Sequence, residues 1–244
     1  MEQFVNRDSV EDLKKRIVNC IKILNEEGVF ELTYGHISCR IPNSDKFLIL
    51  GHLHESNKNL FDVTEEDIVT MDIEGETLPG EVEAPGERFI HTEVYKRRPE
   101  VEAIVHCHPI LSTSFSISGV PIMPVNNLGT IFAPEVPIHD YSGQVDTAEK
   151  AAAMAETLGN RMAVVLRSHG ATIVGSSVEK AALNTLALEH TAKMQLIAHQ
   201  VGTPRPIPVE ETDGIFSEGT KEREYYDTAW DFYSRKYQNH LLKL

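Results

Sequence analysis

Residues 103–109, Ala-Ile-Val-His-Cys-His-Pro, constrain the fold more than any other stretch of this 244-residue chain. Val101, Ile104 and Val105 make a short β-branched run that Pro109 stops, the pattern of a buried strand. Side chains alternate faces along a strand, so His106 and His108 share one face, about 7 Å apart. Cys107 points the other way, into a core. Two imidazoles side by side at a strand end are costly to leave dry and unpaired. A divalent metal ion would use both.

The rest of the chain supplies elements to surround that strand. Val10, Leu13, Ile17, Ile21 and Leu24 recur at helical spacing until Gly28, which predicts an amphipathic helix. In residues 33–42, His36, Ser38 and Arg40 alternate with Ile37, Cys39 and Ile41, a strand with one polar face. That face either holds an anionic or hydroxylated ligand or meets solvent. Residues 47–50 and 68–73 read as strands, and so do 120–125, 136–141, 162–166 and 171–174. Residues 111–118 read as helical, and 147–158 form an Ala-rich helix ended by Gly159. Residues 176–179, Ser-Ser-Val-Glu, read as a capping box that opens a long helix to about Val201. After Pro204, Pro206 and Pro208, an aromatic-rich helix is predicted near 221–242. Its tyrosines suit packing on another surface, such as a neighbouring subunit.

Glu87 stands at the start of a helix predicted over 88–97, where a carboxylate suits the helix dipole. His91, one turn on, shares its face. Both have ordinary readings, as a helix-start carboxylate and a packed histidine. His169 sits beside Gly170, where the strand 162–166 breaks at a polar turn. His52 and His54 form a second His-x-His, but in a polar loop with no strand to fix their geometry.

A formal net charge of -14 argues against nucleic acid or an anionic membrane as partner. Cys20, Cys39 and Cys107 give no disulfide framework and no zinc-finger spacing. No signal peptide or 18-residue apolar run is evident, so the reducing cytosol is the expected compartment. With no linker-like stretch, residues 1–244 are expected to form one domain, with 205–244 as a C-terminal tail and helix.

His106, His108 and His169, with one carboxylate, match the ligand set of a catalytic zinc or similar ion. Such an ion needs three protein ligands and an exchangeable position. The context is specific. Thr33-Tyr34-Gly35-His36-Ile37-Ser38-Cys39-Arg40, Glu87 followed by His91, Tyr95, Arg98 and Pro99, His106-Cys107-His108, and Ser168-His169-Gly170 occur in this order. Together, across about residues 10–200, they resemble the class II aldolase/adducin family, whose members include sugar-phosphate aldolases and epimerases.

The resemblance implies an α/β fold in three layers, a central mostly antiparallel sheet flanked by helices. It also implies a homotetramer with interfacial sites. By position it implies one divalent ion (Zn, or Mn, Fe or Co) on His106, His108 and His169, with Glu87 as ligand or acid/base. The chemistry would be metal-dependent carbon–carbon lysis through a stabilised enolate.

Sugar-phosphate members carry Asn in place of His36, a hydroxyl–Gly pair near Leu50-Gly51, and two serines where Pro85-Gly86 stand here. A phosphate cradle is therefore largely missing. The chain looks more like a branch containing decarboxylases of hydroxylated aromatic or pyridine carboxylic acids. His36, Ser38, Arg40 and Arg167 are then the candidates to meet a substrate carboxylate or hydroxyl. The alternatives are an aldolase and, more remotely, a non-catalytic adducin-like binding protein.

Overall fold

The computed structural model describes residues 9–30, 32–53, 58–79, 81–216 and 220–241. His54 and Leu242, which figure in the expectations above, lie outside these residues.

The first helix, α1 (Val10–Glu26), opens on a capping box in which Ser9 accepts from the Asp12 amide and Asp12 returns the contact. Its periodic residues Leu13, Ile17, Ile21 and Leu24 are all buried. Burial of each such side chain contributes about 1.5–3 kcal/mol. Strands β1 (His36–Arg40), β2 (Lys46–Leu50) and β3 (Ile68–Asp72) follow, then α2 (Phe89–Arg97). The His-x-His strand is β4 (Ala103–Cys107), followed by α3 (Ile110–Ser118), β5 (Ile138–His139), α4 (Ala148–Leu158), β6 (Ala163–Leu166) and β7 (Gly170–Gly175). The chain then runs through α5 (Val178–Val201), α6 (Val209–Phe216) and α7 (Thr220–Leu241).

One sheet orders the strands β3-β2-β1-β4-β7-β6-β5. Every pairing is antiparallel except β5 with β6. The sheet separates two apolar cores. Ala103, Val105 and Cys107 of β4 face the core shared with α1 and α5, whereas Ile104 faces the core shared with α2 and α4. By alternation His106 lies on the α2/α4 side, which is where Glu87 precedes α2. The expected three-layer architecture and the core placement of Cys107 are what the structure has.

Some local expectations differ. Residues 120–125 form no strand, and only an isolated bridge joins Ile122 to Val136. The cap of α5 is Ser177, which accepts from the Lys180 amide, one residue later than the Ser176–Glu179 box. Glu179 is instead taken by Arg16 of α1 in a bidentate pair at 2.6 Å. The proline-rich connection leads into a short helix, α6, that the sequence did not suggest. The C-terminal α7 packs on its own chain. Trp230 lies against the core, and the Tyr226 hydroxyl donates to Asn184 Oδ1 at 2.6 Å.

Candidate metal centre

Three segments, the turn before α2, the end of β4 and the β6–β7 turn, converge on one point. Side chains of Glu87, His106, His108 and His169 offer ligand atoms that all lie within 4.8 Å of one another. The three imidazole centroids form a nearly equilateral triangle with sides of 5.1, 5.2 and 5.1 Å. Glu87 Oε2 stands 3.5 Å from His106 Nε2 and 3.5 Å from His169 Nε2.

Local structure explains each position. His106 is fully buried, and its Nδ1 meets Thr172 Oγ1 at 3.2 Å. Thr172 is its partner in the β4–β7 register, so simple strand alternation on β7 would have pointed to it. The other nitrogen, His106 Nε2, is buried without a hydrogen-bond partner. An orphaned buried nitrogen facing two imidazoles and a carboxylate fits a divalent cation, and the donor set of three nitrogens and one oxygen suits zinc or its neighbours. Glu87 is steered by the Val145 amide, which donates to its Oε1 at 2.7 Å and leaves Oε2 facing the histidines.

His169 projects from the tight turn between β6 and β7. Ser168 there takes a left-handed conformation (φ 59°), and its amide donates to Ser116 Oγ of α3 at 3.1 Å. Gly170 lets the turn press against β4. A Cβ at this position would press on the Cys107 carbonyl oxygen and lie 2.6 Å from His108 Cδ2. Gly170→Ala is therefore expected to displace the His108 ring, weaken metal binding at least tenfold and destabilise the fold by about 1–3 kcal/mol. Elemental analysis and urea unfolding measure both effects, and unchanged metal affinity would show that His108 is not held by this contact.

A second set of groups backs the cluster. His36 pairs with His106 across β1 and β4, and their rings stack at 5.1 Å. His36 Nδ1 meets His91 Nε2 at 2.6 Å, His91 Nδ1 meets Ser38 Oγ at 2.6 Å, and Ser38 Oγ meets the Tyr95 hydroxyl at 2.8 Å. His91 and Tyr95 lie one turn apart on α2. The helical spacing of the two was visible in the sequence, but their joint role was not.

Burial, then neighbouring His106, lowers His91 to about 3, and burial with the adjacent imidazoles lowers His108 to about 3. His36 is pushed down for the same reasons. Burial pushes the Glu87 carboxyl up, but the imidazoles of His106 and His169 outweigh it and hold the group well below the usual carboxylate range.

His91 thus carries a stability consequence. Its folded pKa of about 3 lies below the ordinary histidine value of 6.5, so below pH 6.5 the unfolded chain binds a proton that the folded chain refuses. Stability is full above that value and falls as the pH drops. At pH 5 the loss from His91 is about 2 kcal/mol. Urea midpoints at pH 7 and pH 5 check the direction, and an equal or higher midpoint at pH 5 would contradict it.

A cavity of about 190 Å³ opens beside the cluster. Tyr34, His36, His52, Gln144 and Asp146 line it with His108 and Glu87, and Leu50-Gly51 and Pro85-Gly86 form part of its wall. No Lys or Arg among the described residues lines it. Three of the four residues expected to touch substrate need correction.

Arg40 donates to the carbonyl oxygens of Val101 at 2.8 Å and Tyr95 at 2.7 Å, and its guanidinium lies over the Tyr95 ring. It fastens α2 to the sheet. Arg167 reaches outward to the exposed Asp140, away from the cavity. Ser38 is fully buried under α2 and reaches His91 and Tyr95 instead of the cavity. His36 alone of the four lines the cavity. His52 lines it too but stands outside the cluster.

Residues 15–196 match the family model described as the class II aldolase and adducin N-terminal domain. The chain belongs to the class II aldolase and adducin family. It is 29% identical over 199 residues to a 3,4-dihydroxyphthalate decarboxylase of Arthrobacter keyseri, covering 78% of this chain and 79% of that one. It is also 29% identical over 164 residues to an L-fuculose phosphate aldolase of Methanococcus maripaludis (strain C5 / ATCC BAA-1333), covering 62% of this chain and 87% of that one. The structure of an L-fuculose 1-phosphate aldolase from Glaciozyma antarctica PI12 superposes with a TM-score of 0.78 at 24% identity, covering 100% of this chain and 95% of that one. The family thus includes both decarboxylases and aldolases among this chain's relatives. Among the described residues, no helix is long and apolar enough to cross a membrane.

Proposed function

We propose that this protein is a divalent-cation-dependent carbon–carbon lyase that decarboxylates a hydroxylated aromatic or related carboxylic acid. The observation that carries the reading is the cavity wall. At the positions where sugar-phosphate members carry hydroxyl side chains the wall has Leu50, Gly51, Pro85 and Gly86, and among the described residues no Lys or Arg lines it, Thr33 and Tyr34 being its hydroxyl side chains. The three-histidine and carboxylate cluster opens directly onto that wall.

His106, His108, His169 and Glu87 would hold the cation. When bound, it supplies Lewis acidity to negative charge that develops on a substrate oxygen as the carbon–carbon bond breaks. Val145 fixes one oxygen of Glu87, so Oε2 is the atom that binds or carries a proton. Its depressed pKa makes Glu87 an anion at neutral pH, so its first act is to accept rather than donate. Thr172 keeps the His106 ring oriented.

The relatedness to the L-fuculose phosphate aldolase supports a second reading, aldol cleavage on the same scaffold. The two differ in product. Dihydroxybenzoates, dihydroxyphthalates, hydroxypyridine carboxylates and sugar phosphates are offered to the metal-loaded protein, and CO2 and aldehyde are assayed. Release of CO2 from one of the acids is expected. Aldehyde from a sugar phosphate with no CO2 from any acid would replace the first reading with the second.

A further inference from the structure

The chain of short contacts from His36 to Tyr95 fixes which nitrogen of His36 carries its proton. Tyr95 has one hydroxyl proton and two acceptors, Ser38 Oγ at 2.8 Å and the Glu102 carbonyl oxygen at 3.4 Å. The second distance is too long for a good O–H···O bond, and that carbonyl already accepts from the Arg40 amide at 2.8 Å. The Tyr95 proton therefore goes to Ser38. Ser38 must then give its own proton to His91 Nδ1. A neutral His91 has its proton left for Nε2, from which it donates to His36 Nδ1. Each link leaves one choice for the next. A neutral His36, its Nδ1 accepting, carries hydrogen on Nε2.

The opposite polarity would leave the buried Tyr95 proton with only the 3.4 Å partner, so it is the poorer arrangement. Proton counting also rules out a relay. If His36 gave up its proton and refilled it along the chain, the charge would end on a buried Tyr95 phenolate with no cation on its oxygen. The chain orients; it does not conduct.

We propose that His36 is a neutral hydrogen-bond donor that holds its Nε2–H toward the cavity for an anionic oxygen of the substrate, a carboxylate or ring oxygenate. His91, Ser38 and Tyr95 are positioning residues that set this tautomer. The ligand half of the proposal rests on the reading of the cavity as the substrate site. Among the described residues no hydrogen-bond partner of His36 Nε2 is found in the protein, and the ring lines the cavity. With Arg40 and Arg167 occupied elsewhere and Ser38 buried under α2, His36 is the one of the four residues expected to meet substrate that lines the cavity.

Nitrogen-15 NMR of the zinc-loaded full chain, labelled at histidine, reads the tautomer directly. The His36 signals are assigned by their loss in His36→Gln. The Nε2–H form is expected in the wild type. Ser38→Ala, which removes the donor to His91 Nδ1, is expected to shift His36 toward Nδ1–H while zinc content stays at the wild-type level. An Nδ1–H His36 in the wild type, or an unmoved tautomer in Ser38→Ala, overturns the proposal.

The ligand half is tested by calorimetry with 3,4-dihydroxybenzoate against catechol, which lacks the carboxylate. The acid is expected to bind at least tenfold more tightly. His36→Gln, which keeps an N–H donor, should retain most of that advantage, and His36→Leu should lose it. Equal binding of acid and catechol by the wild type, or an advantage that survives in His36→Leu, overturns the ligand assignment. A correct tautomer and acid preference in a protein that releases neither CO2 nor aldehyde would instead remove the proposed function and leave this inference standing.

Discussion

Glu87→Gln is expected to keep the metal, with weaker affinity, and to lose about 10²–10⁴-fold in turnover, the range that a positioned general acid/base supplies. The amide can still accept from the Val145 amide, so its placement survives the substitution. It cannot take a proton at the atom that faces His106 and His169. The comparison needs both metal content and turnover, because loss of metal alone would also slow the reaction. Wild-type turnover in a metal-replete Glu87→Gln protein would remove Glu87 from the chemistry.

The second large effect is expected at His106. It is the fully buried member of the cluster, and its Nε2 is an orphaned nitrogen that faces the carboxylate of Glu87. His106→Ala should empty the site, with affinity lowered well beyond the 10–100-fold typical of losing an outer partner. His106→Gln, closer in volume, separates loss of a ligand from loss of packing. Both variants should fall together in metal content measured by elemental analysis. Full occupancy in either would place the ion elsewhere, with His52 and His54 the next pair to replace.

The parts of the site that are local in sequence were legible in it. Strand alternation paired His106 with His108 and a glycine turn marked His169, whereas Glu87 read as a helix-start carboxylate and joined them only through the resemblance to the family. The sheet was largely legible too, because β4, β6 and β7 are short apolar runs with clear stops and β1 alternates polar and apolar residues.

What stayed hidden depends on pairings distant in the chain. The polar face of β1 read as open to ligand or solvent, but α2 covers it, fifty-odd residues on. His91 and Tyr95 then claim Ser38, and backbone carbonyls claim Arg40. Arg167 looked available until Asp140 came beside it across the β5–β6 pairing. The capping register of α5 slipped by one because Glu179 has a stronger partner in Arg16. The strand read over 136–141 shrinks to the two residues of β5, and the helix α6 after a proline-spaced segment carries too little periodicity to be read at all.

The central claim is that one cation on these four side chains drives carbon–carbon cleavage. It is tested most directly by stripping the protein with a chelator and titrating Zn, Mn, Fe or Co back while following CO2 release from the acid it accepts. The expected result is no release without metal and a rise that saturates at one equivalent per chain. Release that is undiminished in the stripped protein would contradict the account.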